Sequence, residues 1–85
     1  MKKTLWIARS ANDNADSMHV TFDRDEAARK ARYMFDLLTD RERKFNRVTI
    51  EGYIVDDDQN RTAEQLERDE LPELRDPDYY EEVKA

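Results

Sequence analysis

The chain has 85 residues, enough for one small hydrophobic core, and its 21 acidic side chains outnumber its 15 lysines and arginines. It has no cysteine and a single glycine, which excludes a disulfide framework, a thiolate metal site and a glycine-rich phosphate loop. The apolar run near Met1 is far too short for a signal peptide or a membrane span, so we expect a cytoplasmic protein with no membrane partner.

Two short strands are predicted first, joined by a polar loop. Leu5 to Arg9 contains an apolar run, and Met18, Val20 and Phe22 alternate with polar residues at the two-residue period of a half-buried strand. Residues 10–17 between them are mostly turn formers. A hairpin with a long connection is therefore expected.

A long amphipathic helix follows the second strand. Asp23 stands as its N-cap with Glu26 three residues later, the pattern of a reciprocal capping box. Phe22 lies where a hydrophobic staple would be. Apolar residues then recur at spacings of three and four from Ala27 to Leu38, which gives the helix one inward stripe.

The third strand is preceded by a short turn. Thr39 with Glu42 repeats the capping pattern, so an extra helical turn is expected over residues 40–44. Val48 to Val55 then alternates apolar with polar residues. Gly52 interrupts the alternation where a bulge or a close approach of backbone would fit.

The remaining segment is acidic and poor in apolar residues. Thr62 with Gln65 predicts a short helix that turns Leu66 inward, and Pro72 ends it. Residues 77–82 are expected to form an irregular tail that either docks through its tyrosines or stays mobile.

This order of elements predicts an α+β fold. Residues 1–55 form a ββαβ core, a three-stranded antiparallel sheet with the main helix packed on one face, and residues 56–85 add an acidic helix and tail. The balance of basic and acidic residues also changes after Val55. Up to Val55 there are 11 basic and 9 acidic residues, and from Asp56 onward 4 and 12, so the formal net charge changes from +2 to −8.

No catalytic constellation is apparent, and we expect a protein that is not an enzyme and holds no cofactor. The only histidine, His19, stands in the middle of a predicted strand. One histidine cannot form a metal site unaided, so we interpret it as an exposed strand residue.

Six residues of the acidic segment fall at ligand positions of a calcium-binding EF-hand loop. They are Asp56, Asp58, Asn60, Thr62, Glu64 and Glu67. The match is partial, because Arg61 stands where the loop needs glycine and a strand precedes it instead of a helix. We therefore predict no metal site and interpret Thr62 as a helix cap.

Eight basic residues between positions 24 and 47 would suit phosphate contacts, but acidic residues are interleaved with them. They are Arg24, Arg29, Lys30, Arg32, Arg41, Arg43, Lys44 and Arg47. A solvated helix face with intrahelical ion pairs is the interpretation that we adopt, so no direct binding of nucleic acid is expected.

The acidic segment is the candidate for partner binding. Its helix has few apolar residues to offset the repulsion between closely spaced carboxylates, and two adjacent tyrosines follow it. Carboxylates and tyrosine rings together would suit a basic groove that normally holds nucleic acid. The predicted partner-binding residues are Asp56, Asp57, Asp58, Glu64, Glu67, Asp69, Glu70, Glu73, Asp76, Asp78, Tyr79, Tyr80, Glu81 and Glu82.

In type, the chain resembles the small acidic accessory proteins of phages and mobile elements, including anti-CRISPR and anti-restriction inhibitors. The resemblance lies in a short cysteine-free chain, a ββαβ frame ending in Val48 to Val55, and the acidic sequence from Asp56 to Glu82. It implies a non-enzymatic inhibitor of a basic nucleic-acid-binding protein or nuclease complex. Several such proteins look like nucleic-acid mimics, whereas others bind unrelated surfaces.

Two alternatives stay open. In one, the acidic segment is only a solubilising surface. In the other, the chain is a structural or regulatory module that forms a homodimer through its sheet edge or its helix, burying Trp6, Tyr33 and Tyr53 between subunits.

Overall fold

A computed structural model of the chain describes residues 1–11, 16–71 and 75–84. Its elements in chain order are β1 (Lys2–Ala11), β2 (Asp16–Thr21), α1 (Arg24–Leu37), a 3-10 turn (Glu42–Lys44), β3 (Arg47–Asp56), α2 (Ala63–Glu70) and β4 (Tyr79–Glu82). The predicted α+β class is confirmed. Within the described ranges, no helix combines the length and the apolar character needed to cross a membrane.

The strands form one antiparallel sheet in the order β2-β1-β3-β4. Strands β1 and β3 pair continuously from Lys2 opposite Asp56 to Ala11 opposite Arg47. The bulge considered at Gly52 is therefore absent from this pairing. Most of the predicted loop before β2, residues 12–15, lies outside the described residues.

The prediction of three strands was wrong, because part of the expected irregular tail is the edge strand β4. Tyr79 lies opposite Gly52, and Glu82 lies opposite Thr49. The sequence Tyr-Tyr-Glu-Glu has no two-residue apolar period, so the usual strand signal is missing. Residues 79–82 form a strand because β3 offers an edge with which their backbone can pair.

The two helices cover opposite faces of the sheet. Successive residues of a strand point to opposite faces, and the core divides accordingly into two clusters. The α1 cluster contains Ala8, Ala27, Ala31, Phe35, Val48 and Ile50. The α2 cluster contains Leu5, Ile7, Tyr53, Val55, Ala63 and Leu66. The acidic segment is thus packed on the core, with α2 completing its second layer.

The predicted N-cap of α1 is confirmed, but its reciprocal half is wrong. The Asp23 carboxylate accepts from the backbone N–H of Asp25 at 2.9 Å and of Glu26 at 3.4 Å. The Asp23 N–H donates to Thr21 Oγ1 at 3.1 Å, not to Glu26. Glu26 lies 3.7 Å from His19, and its hydrogen bond with Thr21 lowers the pKa of the Glu26 carboxyl. Thr21 therefore accepts the hydrogen bond from the Asp23 N–H that a reciprocal capping box would give to Glu26.

The other two capping boxes are complete. Thr39 N–H donates to Glu42 Oε1 at 3.0 Å, and Glu42 N–H donates to Thr39 Oγ1 at 3.1 Å. Thr62 and Gln65 exchange the same pair of bonds at 2.9 and 3.2 Å. The Thr62 box begins α2 as predicted, whereas the Thr39 box precedes a 3-10 turn, Glu42–Lys44, that is shorter than the expected 40–44.

Candidate binding surfaces

Among the predicted acidic residues that the structure describes, Asp57 alone is buried. Its buried carboxylate accepts from Lys3 Nζ at 3.0 Å, from Gln59 N–H at 3.1 Å and from Arg61 N–H at 3.0 Å. Burial alone would raise the pKa of this carboxyl, but the hydrogen bonds outweigh it and hold the pKa well below its usual range. Asp57 therefore fixes the loop after β3, and it presents no charge to a partner.

Arg61 explains how α2 tolerates its acidic residues. Its guanidinium donates to Asp57 at 3.1 Å, to Asp69 at 3.0 Å and to Glu70 at 3.0 Å. These hydrogen bonds raise the pKa of Arg61 further above its already high value. The repulsion expected along the helix is thus relieved by a residue that sequence reasoning treated only as a break in a calcium loop.

The remaining carboxylates make this end of the molecule acidic. Residues 56–70 contain seven carboxylates and two arginines, a formal net charge of −5. Glu64, Glu67 and Asp76 have no ion-pair partner in the part of the chain that the structure describes. We call the four α2 carboxylates, Glu64, Glu67, Asp69 and Glu70, the acidic face. Glu73 lies outside the described residues.

The six calcium-loop positions do not converge. Asp56 and Asp58 both accept from the amino group of Met1, at 3.1 and 2.9 Å, and Thr62 caps α2 as interpreted. Over residues 1–11, 16–71 and 75–84, no three His, Cys, Asp or Glu side chains are grouped as metal ligands.

A second surface, not anticipated from the sequence, lies at the end of the α1-covered face. Tyr79 of β4 packs against Trp6 of β1 with ring centroids 5.5 Å apart. The Arg24 guanidinium lies 5.6 Å from the Trp6 ring and 3.6 Å from the Glu81 carboxylate. Phe22 lies beside them along an open groove of about 690 Å³. We call Trp6, Phe22, Arg24 and Tyr79 the aromatic platform.

The platform depends on Gly52. A Cβ atom on this residue would lie 2.7 Å from Cζ3 of Trp6, so the ring can cross β3 only because there is no side chain. The predicted close approach is present, although the neighbour is a ring and not backbone. The cross-strand pairing of tryptophan with glycine was the available signal, but it requires the register between β1 and β3.

The opposite face of the sheet holds a buried polar cluster around Glu51. Its carboxylate accepts from Thr49 Oγ1 at 3.1 Å and from Tyr53 OH at 2.6 Å, and Arg9 Nε lies 3.5 Å away. Burial and the bond to Glu51 raise the pKa of Tyr53 to about 12. Tyr53 is therefore internal, and the expectation that it lies between subunits is wrong.

The predicted residues in β4 and just before it are spread over both faces of the sheet, and their carboxylates are paired. Asp78 accepts from Ile54 N–H at 2.7 Å and from Arg75 at 2.8 Å. Glu82 accepts from Arg47 at 2.8 Å. Tyr80 is exposed beside a groove of about 220 Å³ on the Glu51 side. These residues belong to the edge strand β4 and the turn before it, not to α2.

Neither a family model, nor a curated protein, nor a solved structure matches this chain. The resemblance to anti-CRISPR and anti-restriction inhibitors stays a prediction.

Proposed function

We propose that this protein is a non-enzymatic inhibitor, of the type encoded by phages and mobile elements, that binds a basic nucleic-acid-handling protein. The observation that carries the proposal is the separation of charge across the sheet. Residues 24–47, which include α1, contain eight basic and five acidic residues. Residues 56–70, which include α2 on the other face, contain two basic and seven acidic residues. The segment that contains α2 is therefore strongly acidic, whereas the segment that contains α1 is not.

The acidic face has the form that a basic groove requires. Glu64 and Glu67 are held on a helix whose rise places them about 4.5 Å apart along its axis. A strand of duplex DNA carries one phosphate per about 3.4 Å, so the two charge spacings are comparable. Because α2 is capped and Leu66 is buried, these carboxylates are held in place before a partner arrives.

The aromatic platform supplies the residue types that usually dominate binding energy. Tryptophan, tyrosine and arginine are enriched at interface hot spots, whereas exposed carboxylates mainly accelerate and orient the encounter. Tyr79 is 52% exposed and Phe22 is 41% exposed, so both rings are accessible. Because the platform and the acidic face lie on opposite faces of the sheet, we infer that the acidic face occupies the basic groove and that the platform contacts a second part of the partner.

The test is capture of basic nucleic-acid-handling proteins on the immobilised full chain, followed by competition with a duplex DNA. The Glu64→Gln/Glu67→Gln variant should weaken capture about tenfold, since each exposed charge contributes up to about 1 kcal/mol. The matched control is Asp36→Asn/Asp40→Asn, which changes the net charge equally on the α1 side. It should stay within about twofold of the wild type.

Three results would contradict the proposal. The two variants could lose binding equally, which would show dependence on net charge alone. Capture could persist unchanged at high salt, or duplex DNA could fail to displace the captured protein.

A second candidate function, a homodimerising module, is favoured by the outer surface of α1. Tyr33 is 62% exposed and Leu37 is 65% exposed, one helical turn apart on the same side. A two-fold contact would bury both side chains. Sedimentation equilibrium tests this directly: Leu37→Glu should dissociate a dimer, and a wild-type monomer at high concentration would exclude this candidate.

A further inference from the structure

The first residues of β1 have a strand on one side only. The pairing of β1 with β3 begins at Lys2, whereas its pairing with β2 begins at Trp6, opposite Thr21. Strand β2 ends at that point, because the chain turns there into α1. Among the described residues, Lys2 and Thr4 therefore have no strand on the side away from β3.

The backbone groups of Lys2 and Thr4 point towards this empty side. Asp57 N–H donates to Met1 C=O at 3.0 Å, so these two residues are a hydrogen-bonded pair in register with β1 and β3. Hydrogen-bonding direction alternates along an antiparallel strand. Odd-numbered residues of β1 thus bond to β3, and the even-numbered ones face away from it. From Trp6 onward the even-numbered residues meet β2, but the N–H and C=O groups of Lys2 and Thr4 are open to an added strand.

The aromatic platform borders this open edge. Its groove of about 690 Å³ is lined by Thr4, Trp6, Phe22 and Arg24 among others. Residues directly opposite each other in a strand pair point to the same face of the sheet. A residue opposite Thr4 on an added strand would therefore point to the face of Thr4 and Trp6, and its side chain would enter this groove.

The groove suits an uncharged aromatic side chain. Its cations Lys3 and Arg24 are already ion-paired, at 3.0 and 3.6 Å, and the Asp23 carboxylate accepts from backbone N–H groups of α1. The charges of the groove therefore do not require a charged occupant. The remaining contact surface is that of rings, since Phe22 is 41% exposed and Trp6 is half-buried. Aromatic rings pack favourably against such surfaces.

A second copy of the chain fits this edge poorly. Two registers of a two-fold pairing place Lys2 opposite Lys2 or Lys3 opposite Lys3 of the other copy. Like charges directly opposite destabilise a strand pair. The registers that centre on Thr4 or beyond require the outer side of Trp6, which already pairs with Thr21. A segment of a different protein is therefore favoured over self-association.

We propose that an extended segment of the partner pairs with residues 2–4 of β1 and places one aromatic side chain in the groove of the aromatic platform. In strand addition of this kind, main-chain bonds supply affinity and alternate side chains supply specificity. The inference rests on the proposed function, because it specifies which part of the partner contacts the platform.

The probe is a capped six-residue peptide of serine and threonine with one central phenylalanine, titrated into the full chain and followed by amide NMR. The amides of Lys2 and Thr4 should shift, and at saturation the hydrogen exchange of Thr4 should slow about tenfold or more. Leu5, whose N–H faces β3, is the internal control and should keep its exchange rate. Shifts of the Trp6 ring without slower exchange at Thr4, or no shifts at all, overturn strand addition.

Altered peptides separate the main-chain contribution from that of the side chain. N-methylation of one alternate set of peptide nitrogens should weaken binding about tenfold, because those N–H groups face β1, and methylation of the other set should change it by less than about threefold. Replacing the phenylalanine with glutamate should also weaken binding about tenfold. Equal effects of the two methylated sets, or equal affinity of the glutamate peptide, overturn the proposal.

A matched pair of variants tests the edge from the side of the protein. Thr4→Pro and Thr4→Val both remove the hydroxyl, but only proline removes the outward N–H, and an edge position tolerates it. Thr4→Val should bind the phenylalanine peptide within about threefold of the wild type, and Thr4→Pro about tenfold more weakly. Equal affinity of the two variants contradicts pairing at this edge. Should Thr4→Pro unfold, the methylated peptides and the wild-type chain decide.

Failure of this inference is distinguishable from failure of the proposed function. Capture of a basic protein that depends on Glu64 and Glu67, with no response of Thr4 to the peptide, refutes strand addition and leaves the acidic face as the binding surface. Loss of the peptide from Thr4→Pro, with its retention by Glu64→Gln/Glu67→Gln, supports strand addition independently of the acidic face.

Discussion

Replacing Gly52 with alanine would place a methyl group in the space that the Trp6 ring occupies. The new Cβ would lie 2.7 Å from Cζ3 and 3.0 Å from both Cε3 and Cη2 of that ring. Unstrained carbon atoms stay about 3.5–4.0 Å apart, so the ring would have to move by about 0.5–1 Å. It would then leave its contact with Tyr79, which is centred 5.5 Å away.

Two opposing terms set the size of the effect. Overpacking of this kind costs about 1–3 kcal/mol. Because Gly52 does not have a positive φ, alanine can adopt its backbone conformation and returns about 0.4–1 kcal/mol by restricting the unfolded chain. We expect a net loss of about 1–2 kcal/mol in the free energy of unfolding. For a domain of this size, that lowers Tm by roughly 5–15 °C.

The assay is urea and thermal unfolding followed by circular dichroism, for Gly52→Ala alone and in a Trp6→Leu background. Removing the ring removes the clash, so in that background the alanine should be neutral or slightly stabilising. The coupling energy between the two sites should reach about 1 kcal/mol or more. Trp6 is the only tryptophan, so its emission in the single variant reports displacement of the ring. An equal cost of alanine in both backgrounds would refute the steric explanation.

Three further predictions concern the core and its titrating groups. Leu66→Ala should lower the free energy of unfolding by about 2–5 kcal/mol, because its side chain is fully buried beneath α2. Urea unfolding measures this loss, with Arg68→Ala, an exposed position on the same helix, as the control. Asp57→Asn should destabilise the fold near neutral pH. The pKa of Asp57 is lower in the folded chain than in the unfolded chain, so its ionised carboxylate stabilises the fold above about pH 4 and this stabilisation is lost as pH falls. The difference in the free energy of unfolding between wild type and Asp57→Asn should therefore become smaller in acid. A difference that does not change with pH would contradict this explanation. Tyr53→Phe should abolish the tyrosine absorbance step near pH 12. The raised pKa also means that the Tyr53 contribution is complete below about pH 10 and disappears as pH rises towards 12, which alkaline unfolding would detect.

Elements with local signals could be predicted from the sequence. The caps at Asp23, Thr39 and Thr62 each act within three residues, so neither the sheet nor the core is needed to identify them. The strand β4 has no such local signal. Its formation depends on the free edge of β3 and on the packing of Tyr79 against Trp6, and both are properties of the folded molecule.

The candidate surfaces were only partly predictable for a related reason. Composition treats Asp56, Asp57 and Asp58 alike, but they leave β3 with alternating direction, so the middle one shares its face with Val55 and α2. This alternation of side-chain direction could have been read from the sequence. The bonding of Arg61 to both Asp57 and Asp69 could not, because it depends on where α2 lies relative to the loop.

The sheet order also governs when the binding surfaces come into existence. The central strand β1 cannot complete its pairing before β3 is present, and the ion pair between Lys3 and Asp57 joins residues that are 54 positions apart in the sequence. Long-range pairing of this kind slows folding, whereas the hairpin of β1 with β2 and the helix α1 can form early. On a ribosome, β4 emerges last and finds an edge only after β3 has docked. A folding intermediate that lacks β4 would have a nearly complete core but no stacked Trp6, so the aromatic platform would be complete only after β4 has docked.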